Sequence, residues 1–247
     1  MRARLITAGL LIVLVGCASQ PEATIPPPQR RAAPVGFPAA LYAEAHANGE
    51  PVYRIEPERS EVVILAYRGG SLRRFGHDHA ITSRDVKGYV LLPAAIGSAQ
   101  ADLYVPVESL QVDEPAKRAQ AGFDTQPSQQ DIDGTRRNMM DKVLEATRYP
   151  FVALRVTPQA GELPRVTLQA EVTLHGTTRT LPVTVRIDTS GEDTLEASGR
   201  FALNQTDFGI VPLALLAGAL RVEDRIDIEF HLHAVRVPPA ASLPPLD

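Results

Sequence analysis

The chain has 247 residues, 44% of them hydrophobic, with 25 basic and 29 acidic side chains and a formal net charge of −4. That length and apolar content suit one domain with a real core, of the size that β-barrels commonly reach at ~200 residues. The mildly acidic balance counts against nucleic acid as a partner, and six tyrosines, seven phenylalanines and no tryptophan count against a carbohydrate- or base-stacking surface.

Arg2 and Arg4, the apolar run Leu5 to Val15 and then Gly16-Cys17 make a positively charged start, a short hydrophobic region and a small-residue cleavage site. This is the pattern of an export signal. The run is shorter than the ~20 residues that a spanning helix needs. Cys17 is the sole cysteine, which excludes an intramolecular disulfide, and Leu14-Val15-Gly16-Cys17 resembles the lipobox of bacterial lipoproteins. Lipid on Cys17 would anchor the chain to a membrane. Ala18, rather than an aspartate, points to the outer membrane of the cell envelope, facing the periplasm. Without residues 1–16 the chain keeps 23 basic and 29 acidic side chains, a net of −6.

Pro21, Pro26, Pro27, Pro28, Pro34 and Pro38 mark an extended tether, so residues 17–50 read as a lipid-anchored Pro-rich linker. Within it Leu41 to His46 allow a turn of helix, which Asn48-Gly49 and Pro51 end. From residue 51 to 237 the dominant signal is alternation with β-branched enrichment. The first strands fall at Glu61 to Tyr67, Val86 to Leu92, Ala101 to Val107 and Phe151 to Val156. Arg165 to Leu174 places Val166, Leu168, Ala170, Val172 and Leu174 on one face; Leu181, Val183, Val185 and Ile187 repeat the pattern. Thr194 to Leu203 is a further strand, and Ile226, Ile228, Phe230 and Leu232 oppose Asp227, Glu229, His231 and His233, a face read as solvated outer wall. Residues 238–247 are expected to be a flexible tail.

One segment breaks the β rhythm. Asp131 to Thr147 reads as a helix with Met139, Met140, Val143 and Leu144 on one side, preceded by a polar loop from Asp113 to Gln130. Many antiparallel strands with one apolar face each must close on themselves or pack as a sandwich. The expectation is an all-β fold: an antiparallel lipocalin-like β-barrel of about eight strands, able to enclose one ligand, with a helical insertion at one mouth.

Ordered landmarks carry a resemblance to the YceI-like family of lipocalin-like barrels. They are Tyr53-Arg54-Ile55-Glu56 with Ser60 to Ile64, His79 followed by Gly88-Tyr89-Val90, Arg148 to Leu154, Leu174 to Arg179, and Asn204 to Ile210. The resemblance spans about Val52 to Ala234. It implies an exported, non-enzymatic barrel that holds a polyisoprenoid or another long-chain lipid and needs no cofactor. Three features depart from the family pattern: Gln205 replaces an arginine, the Asp113 to Gln130 loop is longer, and Gly76-His77-Asp78-His79 adds a histidine.

The inward residues Leu103, Val105, Val152, Leu154, Val166, Leu168, Val183 and Val185 are expected to line a lumen for the hydrophobic ligand, with Arg73, His77 and His79 orienting its polar head. His77 and His79 would share one face of a regular strand, so a metal-binding protein or metal-dependent enzyme using that pair is the alternative. No metal ligand set is complete in the sequence, because a third ligand is not identified. His175 in its tight turn reads as structural. Catalytic nucleophile, phosphate-loop and His-Glu-x-x-His motifs are absent. The sequence leaves homodimerisation open.

Overall fold

The structure is a computed structural model that describes residues 32–189, 191 and 193–246; the export signal and Cys17 lie outside the described residues. Eight strand positions close into one antiparallel barrel. Position one is β1 (Val52–Ile55) continued by β2 (Glu61–Gly69), and position two is β3 (His79–Ser83) with β4 (Lys87–Leu91). Position three is β5 (Gln100–Pro106) with β6 (Gln111–Val112). Single strands fill the rest: β7 (Phe151–Glu162), β8 (Arg165–Leu174), β9 (Thr177–Asp188), β10 (Thr194–Asn204) and, after the short β11 (Ala214–Leu215), the 17-residue β12 (Leu220–Arg236).

The pairing follows from alternation, because a register shift of one residue would turn every apolar side chain outward. Arg165 to Leu174 pairs residue for residue with Arg186 to Thr177, and β10 pairs with β12 from Thr194↔Val235 to Asn204↔Arg225. On its other edge β12 pairs with β2 through Ile226↔Ala66 to His231↔Glu61 and with β1 through Ala234↔Ile55, which closes the barrel. Gly88 lets β4 approach β5, since a Cβ there would stand 2.2 Å from the Asp102 carbonyl oxygen.

The outer face of β4 and β5 is covered, so the folded body is larger than residues 51–237. Helix α1 (Ala39–Ala47) lays a fully buried Tyr42 against Tyr89, with ring centroids 5.4 Å apart. The Tyr42 hydroxyl donates to Asp102 Oδ2 at 2.7 Å, while Gln100 Nε2 and Arg155 Nε donate to the same carboxylate at 2.6 and 2.8 Å. Burial and that carboxylate push the Tyr42 phenol far above its ordinary range, so it remains a donor. The expected loose tail is corrected likewise. Leu243 and Leu246 pack on this aromatic cluster, the Leu246 carbonyl accepts from Tyr104 Oη at 3.1 Å, and Pro244 accepts from Tyr89. His46 Nε2 lies 2.8 Å from the Ala241 carbonyl oxygen. One further outward position differs from expectation: His231 is exposed as expected, but His233 is buried because the Glu56–Ser60 corner folds over it.

Between β6 and β7 the insertion is helical but broken. Helix α2 (Pro115–Gln120) occupies the expected polar loop, and α3 (Gln129–Asn138) starts at a capping box formed by Ser128 and Asp131. It then loosens into a π-helical turn, Met139–Val143, with Leu144 N–H donating to Met139 O at 2.8 Å. The wider turn splits the apolar residues: Met139 and Val143 face the barrel interior, while Met140 packs with Val107, Leu110 and Val112.

Removing the Tyr42 ring should loosen both terminal segments together. Tyr42→Ala is expected to cost about 3–5 kcal/mol in urea unfolding, and Tyr42→Phe, which deletes only the donor to Asp102, about 1.5–3 kcal/mol.

Candidate functional site

The inward faces of the strands enclose a cavity of about 280 Å³. Its lining runs from Leu92 and Ile96 at one end to Met139, Leu144 and Ile210 at the other, with Phe201 and Phe230 on the wall. Leu103, Val105, Val152, Leu154, Leu168, Val183 and Val185 all border it, whereas Val166 lies in the surrounding core at 1% exposure. No charged side chain lines the cavity among the described residues.

Three polar side chains do. Ser83 Oγ is committed to Ser109 Oγ at 2.8 Å and to the Asp85 N–H at 3.1 Å. Gln100 is drawn outward by its bond to Asp102. Gln205 is 7% exposed, and its Nε2 donates to the Glu223 carbonyl at 2.9 Å. Because a glutamine amide carries two donors and an acceptor oxygen, that bond leaves one N–H and Oε1 uncommitted to the Glu223 carbonyl. Gln205 stands out in the sequence only as a departure from the family pattern; nothing in composition marks it as a cavity residue.

Arg73, His77 and His79, the residues expected to orient a head, are not part of the cavity lining. Arg73 is exposed in a short 3₁₀ turn, Arg73–Phe75. His77 precedes β3 instead of lying on it, with its ring edge-on to that of His79 at 6.5 Å. His79 has a structural partner: its Nδ1 lies 2.7 Å from Oδ2 of the buried Asp113. Asp113 Oδ1 accepts from Arg118 Nη1 at 2.6 Å and from the Ala80 N–H at 3.0 Å. Arg118 is itself 5% exposed and also donates to Thr125, to its carbonyl at 2.7 Å and its hydroxyl at 2.8 Å. This network pins the insertion to β3. Its cation is a guanidinium, and no three His, Cys, Asp or Glu side chains gather as a metal site among the described residues. Asp113 lies 34 residues from His79 in a polar, Pro-interrupted stretch, so spacing carried no sign of the pair. His175 is held by the segment before β7, with Nε2 3.1 Å from Glu145 Oε1 and its ring 4.4 Å from that of Tyr149.

A closed eight-stranded antiparallel barrel around an apolar cavity defines the lipocalin-like class of barrels. The chain belongs to the YceI-like family, since the YceI-like domain matches residues 53–234. Among solved structures, BcnA of Burkholderia cenocepacia is 16% identical with a TM-score of 0.55, covering 73% of this chain and 99% of its own. A domain from Saccharophagus degradans, described as polyisoprenoid binding and implicated in plant cell wall breakdown, is 14% identical with a TM-score of 0.53. That match covers 75% of this chain and 98% of the domain. At such identities both likenesses concern the fold. No curated protein matches the chain.

The Asp113 network sets an acid response. Burial alone would raise the Asp113 carboxyl, but His79, Arg118 and the Ala80 N–H outweigh it and hold the group below its ordinary range. A depressed folded value contributes stability that is present above the unfolded carboxylate value of ~3.9 and is lost as pH falls through the folded one. Asp113→Asn is expected to lose about 3 kcal/mol at neutral pH. Unfolding curves of the variant should also change less than those of the wild type between about pH 5 and pH 1.

Proposed function

We propose that the protein binds and carries, or sequesters, a polyisoprenoid or other long-chain lipid in the bacterial cell envelope, without catalysis. In this reading lipid on Cys17 and the Pro-rich linker hold the barrel at the outer membrane, on its periplasmic side. The observation that carries the proposal is the apolar lining, continuous from Leu92 to Ile210 and free of charged side chains among the described residues. Each methylene transferred from water into such a wall contributes ~0.8 kcal/mol, so chain length dominates affinity. The polyisoprenoid binding attributed to the Saccharophagus degradans domain supports the same ligand class.

The buried part of the ligand is neutral. An ionised phosphate or carboxylate inside this lining would be desolvated with no cation to pair it. A hydroxyl, in contrast, can hydrogen-bond to the Gln205 amide.

Organic extraction and mass spectrometry of the full chain expressed in bacteria should find a long-chain lipid; a lipid-free protein that also takes up no added isoprenoid would sink the proposal. Ala170→Phe, which fills the cavity from the β8 wall, should abolish the co-purified lipid at a cost of about 1–3 kcal/mol in stability. Gln205→Leu should keep chain binding but weaken an isoprenoid alcohol relative to its methyl ether by roughly two- to tenfold.

A further inference from the structure

The barrel end that carries Gly69 and Leu220 bears an apolar surface that the cavity does not use. The loop after β2 and the segment before β12 are fastened side by side. Leu72 N–H donates to the Ala219 carbonyl at 2.8 Å, β11 pairs through Ala214↔Arg221 and Leu215↔Leu220, and Val222 N–H donates to Leu213 O at 2.9 Å. Gly70, at φ +88°, is needed for this approach, because a Cβ there would stand 2.3 Å from the Ala219 oxygen. On these two segments Phe75 is 64%, Leu215 51%, Leu216 69% and Val211 81% exposed. They supply four of the seven large apolar side chains that stand exposed among the described residues. Leu216 and Ala217 both hold left-handed backbone, φ 52° and 54°, which side-chain-bearing residues rarely adopt. Such strain persists where surrounding structure imposes it, and it concentrates at binding segments.

Two exposed arginines stand beside this surface. Arg73 and Arg74 are exposed, with the Arg74 guanidinium 4.7 Å from the Phe75 ring centroid, and neither forms an ion pair among the described residues. The neighbouring acids are engaged elsewhere: Asp78 and Asp124 with Arg68, Glu223 with Arg221, and Asp224 with Thr206. Arg73 and Arg74 therefore stand as two cations without an ion-pair partner among the described residues, next to exposed apolar tips.

We propose that this end of the barrel docks on an anionic phospholipid surface. Phe75, Leu215 and Leu216 would enter the boundary between headgroups and acyl chains, while Arg73 and Arg74 meet lipid phosphates. Charge complementarity favours a bilayer of that sign. The surface also begins where the cavity lining ends: Ile210 borders the cavity, and Val211, the next residue, is the most exposed of the set. Docking therefore sets the Gln205 and Ile210 end of the cavity against the bilayer. The proposal stands whether or not the cavity holds a lipid.

The test uses the full chain with Cys17→Ser, so that an introduced thiol is the sole one. An environment-sensitive dye is placed by Leu216→Cys, or by Leu163→Cys in the turn at the opposite end. Vesicles of phosphatidylcholine with roughly a third phosphatidylglycerol are compared with pure phosphatidylcholine. The Leu216 label should shift to the blue and be quenched by lipid-borne bromine on the anionic vesicles, while the Leu163 label stays in water. Arg73→Glu with Arg74→Glu, checked by thermal unfolding, should weaken binding to anionic vesicles by roughly 10- to 30-fold. Water-like emission at Leu216, equal insertion at both labelled positions, or undiminished binding of a folded charge-reversed variant would each overturn the proposal.

Discussion

Closure by β12 is the constraint on which the rest of the structure depends. One 17-residue strand pairs along one edge with β10 and along the other with β2 and then β1, so a single segment joins the last strand of the meander to the first. Closure removes the exposed edge that an open sheet would present, and it obliges every inward side chain to face the opposite wall. With eight strands, the interior has room for little more than side chains or one ligand. An apolar inward set, mostly branched aliphatic residues, then leaves a cavity whose walls are set by the strand pattern and whose ends are set by the segments that cap it.

The same closure explains why polar structure gathers outside the barrel wall. Asp102 faces outward on β5, yet α1 covers it, and its carboxylate is satisfied by Tyr42, Gln100 and Arg155. Asp113 is buried under the insertion and satisfied by His79, Arg118 and a backbone N–H. Each carboxylate therefore ties a non-barrel segment to a strand. A buried carboxylate is costly unless paired and hydrogen-bonded, so these contacts specify one position for α1 and one for the insertion, where apolar packing by itself would allow sliding.

This division also sets what was legible in the sequence. β8 and β9 could be read residue by residue because their wet and dry faces alternate without interruption from Arg165 to Leu174 and from Leu181 to Ile187. Where another layer covers the outer face, the pattern misleads: Tyr42 lies in a stretch read as tether, and His233 in one read as solvated wall, yet both are buried. Local polarity reports solvent only where no other segment returns. That Arg73, His77 and His79 stand outside the cavity lining was hidden for a related reason. Their nearness in sequence to a strand end gave no sign that Asp113, from a different part of the chain, would occupy His79.

The cavity's affinity and its selectivity have separate sources. Apolar contact is non-directional and grows with the area removed from water, so valine and leucine walls reward chain length and distinguish poorly between chains of similar bulk. Direction can come only from a polar group inside, and of the three that line the cavity, Ser83 and Gln100 are already occupied by the protein. Gln205 differs because it is 7% exposed and its amide is fixed to a backbone carbonyl, that of Glu223, instead of to an outward-facing carboxylate. Selectivity therefore works by exclusion more than by attraction: the lining rejects a charged head through its desolvation cost, and a single amide distinguishes among the neutral heads that remain.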